Sequence, residues 1–203
     1  MLDRLPDPVA GLHLRESAVL IPIYERSGEP QLLFIKRTDT VGLHKGEIGF
    51  PGGRLEPGDP TPLAAALREA YEELGILPEA VTPLGALPSV STVVTSMLIY
   101  PFVGRLAAPP DLIPDPFEVA ETIEVPLAIL RDPATYHEED WVVRGVRRRI
   151  FVYRYDGHDI WGATGRIVQQ FLQRLERWPW GPVDRAWGLD DVAAALEGTE
   201  GDG

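Results

Sequence analysis

The sequence predicts a mixed α/β sandwich in a single domain. Three observations point there. Apolar, strand-like runs stand both before and after a helix-forming segment at 63–74, and a second amphipathic helix pattern follows at 165–178. The chain has 203 residues, 44% of them hydrophobic, which suits one core of ordinary size.

The elements follow in order. Residues 1–16 read as an acidic, Pro-rich lead-in, 17–197 as the folded domain and 198–203 as a disordered tail. Ala18–Tyr24 (AVLIPIY) reads as a buried strand, with Pro22 favouring an edge or a bulge because proline has no N–H to give a ladder. Ser27-Gly28-Glu29-Pro30 is a turn, and Gln31–Lys36 completes a hairpin. Glu47–Phe50 leads into a break at Pro51-Gly52-Gly53, and 55–61 is a loop. Leu63–Leu74 (LAAALREAYEEL) is rich in strong helix formers and is stopped by Gly75. Strands are expected at Val81–Leu87, Met97–Val103, Val119–Val125, Trp141–Val143, Arg148–Tyr155 and His158–Trp161, with a Pro-rich loop at 108–116. Asp156-Gly157 is a hairpin turn. Thr164 is placed to cap the helix Gly165–Trp178, and Asp190–Leu196 forms a short third helix.

Charge narrows the function. With 31 acidic and 19 basic residues the formal net charge is −12, which argues against a general nucleic-acid binder, since that needs a basic face. A bound cation or a local Arg cluster still permits a small anionic ligand. The absence of cysteine excludes disulfides, thiolate metal sites and cysteine nucleophiles. No apolar run approaches the roughly 20 residues that span a bilayer, and the N-terminus has no signal-type apolar core, so the expected compartment is the cytoplasm.

The helix 63–74 carries the chemical signal. At 3.6 residues per turn, Leu63, Leu67, Ala70 and Leu74 share one stripe, the expected core face, and Glu69, Glu72 and Glu73 fall together opposite it. Like charges at these spacings repel, and in the last turns of a helix they oppose its dipole. A divalent cation turns that repulsion into coordination, and hard oxygen ligands suit Mg²⁺ or Mn²⁺.

Gly53, the loop to Asp59, and then Arg68-Glu69-Ala70-Tyr71-Glu72-Glu73-Leu74-Gly75-Ile76 resemble the Nudix box, the loop–helix–loop unit that defines the Nudix hydrolases. In two respects the chain differs from the commonest box: Asp59 replaces Glu, and eight residues rather than seven separate it from Arg68. Both features are similar to the coenzyme A diphosphatase branch, as are Arg37, Gly46 and Phe50-Pro51-Gly52-Gly53, and the segments Leu98–Gly104, Glu118-Val119, Val125–Leu127 and Trp161–Thr164. Gly42 stands where that branch usually has Arg, which forfeits a bidentate phosphate contact unless Lys45 or Lys36 substitutes.

The resemblance implies a Nudix α/β/α sandwich, with a mixed sheet, the box helix on one side and the 165–178 helix packed across it. It implies metal ligation by Glu69 and Glu73 with a backbone carbonyl near Gly53, and Glu72 as ligand or water-orienting group. The general base is a box Glu or Glu118 from a later loop, so Glu72, Glu73 and Glu118 are the candidate catalytic residues. Arg37, His44 and Lys45 are candidates for substrate binding. Asp59 and Arg68 are expected to form an ion pair that braces the loop on the helix. The implied activity is hydrolysis, with Mg²⁺ or Mn²⁺, of coenzyme A or its thioesters to adenosine 3′,5′-bisphosphate and a 4′-phosphopantetheine derivative. ADP-ribose or another nucleoside diphosphate derivative is the alternative substrate, and a non-catalytic nucleotide-sensing module the alternative class. The expected partner is a small nucleotide substrate, with no nucleic acid and no membrane, and the protein a monomer or homodimer.

Two features stay apart from the box. Arg144, Arg147, Arg148 and Arg149 read as a charged edge strand or as a phosphate contact, and the five Trp as packing residues.

Overall fold

The computed structural model describes residues 14–39, 46–92, 96–143 and 145–176. The readings for the lead-in before 14, Gly42, His44, Lys45, Arg144, the third helix at 190–196, the C-terminal Trp178, Trp180 and Trp187, and the tail lie outside the described residues.

A mixed sheet forms the middle of the molecule. Its strands are β1 (Arg15–Arg26), β2 (Glu29–Arg37), β3 (Ile48–Gly49), β4 (Gly52–Arg54), β5 (Val81–Ala86), β6 (Val90–Thr92), β7 (Met97–Leu106) and β8 (Val119–Pro126). The main path runs β3-β2-β1-β7-β5, with β8 on β2, β4 on β1 and β6 on β7. β1 and β7 are parallel, in register from Arg15↔Met97 to Ile23↔Arg105, and the other pairs are antiparallel. The expected hairpin is β1–β2, turning through Ser27 and Gly28, both at positive φ.

Strand alternation then separates two cores. Leu20 and Tyr24 of β1 and Leu33 and Ile35 of β2 face α1 (Pro62–Leu74), against Ala65, Ala66, Ala70 and Leu74. Ile21 and Ile23 of β1 and Leu32 and Phe34 of β2 face α3 (Gly162–Glu176), against Ile167, Val168, Phe171 and Leu175. The helices therefore cover opposite faces of the sheet, which is the α/β/α layering the sequence implies. A one-turn helix α2 (Leu127–Arg131), not foreseen from the sequence, adds Leu127 and Leu130 to the α3 core. Among the described residues no helix is long and apolar enough to cross a membrane.

Two expectations are corrected, and one arrangement was not foreseen. Pro22 lies in a central strand, not at an edge; it sits where β1 passes from its β4 partner (17–19) to its β2 partner (23–26). Thr164 is inside the first turn of α3, because the helix starts at Gly162. Residues 136–160 do not extend the central sheet. β9 (Tyr136–Val143), β10 (Val146–Tyr155) and β11 (His158–Ile160) form a separate antiparallel sheet of order β11-β10-β9. Phe151, Tyr153 and Ile160 of that sheet join the α3 core. Gly165 lets α3 approach β10 closely, since a Cβ there would meet the carbonyl of Phe151.

Candidate active site

The box helix is placed by its ends. Thr61 caps the N-terminus, its hydroxyl accepting from the amide of Ala64 at 3.1 Å, and Pro62 occupies the first turn, where no N–H is missed. Gly75 closes the C-terminus in the left-handed region at φ 73°. The Pro-rich loop finishes that end: Ile113 N–H donates to the carbonyl of Leu74 at 2.8 Å and Asp115 N–H to that of Glu73 at 2.9 Å. These bonds satisfy helix carbonyls that otherwise have no partner. The same loop brings Glu118 beside the end of β2, where Thr38 N–H donates to its carbonyl at 3.0 Å.

The three box glutamates do not share an exposed face. Glu73 is buried, only 1% exposed, on the stripe with Ala66 and Ala70. The reason is periodicity: seven residues turn a helix about 700°, so position 73 lies some 20° from position 66. Half-buried Leu63 and Leu67 flank that stripe. Glu73 Oε2 accepts from the Gly52 amide at 2.8 Å, and Oε1 lies 3.1 Å from Arg37 Nη2. Arg37 Nη2 also donates to the Gly52 carbonyl at 2.7 Å. Burial drives the Glu73 carboxyl up to about 7, against the pull of Arg37 and the Gly52 amide; Glu69 and Glu118 raise it further.

Arg68 gathers the rest of the box. Its Nε and Nη2 hold both oxygens of Asp59 at 3.0 and 3.1 Å, and Nη2 also donates to the carbonyl of Arg54 at 3.1 Å. Nη1 reaches Glu69 at 3.0 Å and Glu72 at 2.9 Å. Asp59 is in turn held by the amide of Glu56 at 2.8 Å, and the Arg68 bond keeps its carboxyl below the usual range. Burial raises the Glu69 carboxyl, with Arg68 opposing. Glu72 points outward and is exposed.

As they stand, no three His, Asp or Glu side chains among the described residues converge tightly enough to grip a metal ion. This corrects the expectation of one ready-made carboxylate cluster. The donors nevertheless fit a hard divalent cation in chemistry. They are all oxygens. Glu73 Oε1 is buried without a hydrogen bond of good geometry. The missing side chain at Gly53 makes room for the Glu69 carboxylate, onto which a Cβ there would fall.

Arg37, Gly53, Glu69 and Glu118 line a cleft of about 1620 Å³ whose other lining residues include members of β9, β10 and α3. Part of this lining carries a signal in the sequence, where Arg148 reads as an edge-strand charge or a phosphate contact and Trp161 lies in a segment similar to the coenzyme A diphosphatase branch. Trp141 and Arg166 carry no sequence signal that links them to the box, and the cleft brings them beside Arg148 and Trp161. Lys36 does not join them. It follows the strand alternation away from Arg37 and lines an adjoining cavity of about 410 Å³ with His158 and Asp159, which shares Glu47, Ile48 and Trp161 with the cleft.

Comparison with known proteins agrees with this geometry. The family model for the NUDIX domain matches residues 14–144. An uncharacterized Nudix hydrolase, NudL, of Cronobacter sakazakii is 39% identical over 175 residues, covering 84% of this chain and 88% of that protein. NudL of Escherichia coli strain K12 is 39% identical over 169 residues, covering 81% and 84%. A crystal structure of a MutT/nudix family protein from Enterococcus faecalis superposes with a TM-score of 0.56 at 14% identity, over 88% of this chain and 68% of that one, a likeness of fold. The chain belongs to the Nudix hydrolase family.

Proposed function

We propose that this Nudix hydrolase cleaves the diphosphate of coenzyme A or its thioesters, yielding adenosine 3′,5′-bisphosphate and a 4′-phosphopantetheine derivative. The observation that carries the reading is the box variant itself. Asp59, one residue further from Arg68 than in the commoner box, is held by both arms of the guanidinium, so the lengthened loop is built into the site.

Glu69, Glu73 and the backbone at Gly53 are the residues that would hold Mg²⁺ or Mn²⁺. When bound, the ion neutralises the diphosphate and lowers the pKa of an attacking water. Glu118, exposed, lining the cleft and unburdened by an ion pair among the described residues, would serve as the general base toward an attacking water. Arg37 lines the cleft beyond its contact with Glu73, and with His44 and Lys45 it binds substrate phosphate. Glu72, tied to Arg68, orients water. Asp59 and Arg68 brace the loop on the helix and do not react.

Gly42 favours a second reading, in which the substrate is ADP-ribose or another nucleoside diphosphate derivative, because the guanidinium expected for coenzyme A is missing there. A panel of coenzyme A, acetyl-coenzyme A, ADP-ribose, NADH and diadenosine polyphosphates, with products identified by mass, decides between them. Release of 4′-phosphopantetheine, with a high Michaelis constant, is expected. Efficient turnover of ADP-ribose with coenzyme A untouched overturns the first reading.

A further inference from the structure

The lining of the cleft outside the box holds a feature that phosphate hydrolysis does not require. Trp141 of β9 and Trp161, just before α3, are both more than a third exposed, at 39% and 38%. Their rings stand 5.4 Å apart with planes inclined by 44°. Arg148 is the direct cross-strand partner of Trp141, so the two side chains leave the sheet on the same face. All three line the cleft.

Arg148 also differs from its neighbours on β10. Arg149 lies 3.1 Å from Glu138 and Arg147 lies 3.8 Å from Asp140, whereas Arg148 has no carboxylate partner among the described residues. In a chain of net charge −12, a guanidinium left without a carboxylate beside two open indoles is poised for an anion carried on a planar ring. Edge-strand protection does not account for it, because that role needs neither the Trp pair nor a place inside the cleft.

We infer that Trp141, Trp161 and Arg148 form the subsite for the nucleoside half of the substrate. The indoles stack the base, and Arg148 binds the phosphomonoester on the ribose. The inference rests on the proposed coenzyme A reading for the identity of that half, 3′-phosphorylated adenosine.

The test is calorimetric titration of the full chain with Mg²⁺, using adenosine 3′,5′-bisphosphate, AMP and 4′-phosphopantetheine as probes. Trp141→Ala is expected to weaken both adenine nucleotides about tenfold, the scale of one lost stacking contact. Arg148→Ala is expected to weaken the bisphosphate about tenfold, the scale of a charge-assisted hydrogen bond, while AMP changes little. Neither change should move 4′-phosphopantetheine. Arg148 is exposed, so its variant removes no core contact, and Trp161→Phe offers a second stacking variant that preserves packing. Bisphosphate affinity unaltered in all three variants overturns the subsite, even if coenzyme A is hydrolysed. Conversely, dependence on both Arg148 and Trp141 supports the subsite even if the panel finds coenzyme A uncleaved, in which case only the substrate reading falls.

Discussion

The Glu73 carboxylate sits inside the protein with one oxygen 3.1 Å from Arg37 Nη2 and the other 2.8 Å from the Gly52 amide. The contact joins the end of β2 to the box helix and, through the Gly52 carbonyl that Arg37 also binds, to the Gly-Gly strand before it. A carboxylate this buried is costly to ionise, and one guanidinium plus one amide do not fully offset the loss of water. On the proposed mechanism it is kept because it would hold the metal ion.

Glu73→Gln tests that statement. The amide keeps the shape and one oxygen for the Gly52 N–H, and it removes the charge. Hydrolysis should fall by about 10²-fold or more, the scale of losing an essential catalytic group. Melting at neutral pH should be unchanged or slightly higher, since a buried charge is removed and Arg37 remains partly solvated. Turnover near that of the parent protein would show that the carboxylate is structural.

Stability of the metal-free protein should depend on pH in a set direction. The folded-state value of Glu73 is about 7, above the ordinary 4.5. The folded protein therefore holds this proton more tightly than the unfolded chain. Its stabilising share is complete below about 4.5 and is lost as pH rises to about 7, after which it stays lost. Glu69 shifts in the same direction. Asp59 is depressed and acts only in stronger acid. Melting temperature, followed without metal from pH 4.5 to 7.5, should fall through this window. Added Mg²⁺ should raise it most at the upper end, by binding the ionised folded state. An equal slope in Glu73→Gln would assign the effect to other groups.

Much of this was legible in the sequence. Helix formers stopped by Gly75, the apolar runs AVLIPIY and QLLFIK on either side of a turn, and the spacing of Asp59, Arg68 and the glutamates each report local physics, and these elements stand close to where that physics puts them. What was not legible depends on what packs against what. Glu73 was grouped with Glu69 and Glu72 on the outer face by their three- and four-residue spacing, yet its position relative to Ala66 and Ala70 placed it inward. The second sheet escaped because alternation in 136–160 reveals strands but not which sheet they join. Trp141 and Arg148 became neighbours only through the β9–β10 register.

Arg68 should be intolerant even of lysine. One guanidinium serves Asp59 through two nitrogens, and also the Arg54 carbonyl, Glu69 and Glu72. A lysine ammonium has no planar fork and cannot satisfy that set together. Arg68→Lys should lower the melting temperature by several degrees and reduce kcat, because the loop that carries Gly53 loses its brace. Asp59→Asn, which keeps one acceptor, should do less of both. If Arg68→Lys melts and turns over like the parent, the brace is dispensable.

The two adjacent glycines should fail differently. At Gly52 the backbone φ is 153°, and a Cβ would run into the carbonyl of Ala18 and lie 2.6 Å from the Val19 Cα. Both obstacles are backbone of the central strand β1, so neither can move aside. Gly52→Ala should cost about 3 kcal/mol or more, on the scale of overpacking a well-filled core. At Gly53 the obstacle is the end of the Glu69 side chain, which can swing away. Gly53→Ala should therefore leave melting close to that of the parent while displacing the Glu69 carboxylate. Activity should fall at least tenfold, about the loss expected when one charge-assisted contact is broken, and should require more Mg²⁺ to reach half its maximum. The measurement pairs thermal melts with activity across a Mg²⁺ titration for both variants. A Gly53→Ala protein with the parent's metal requirement would remove Glu69 from the set of ligands.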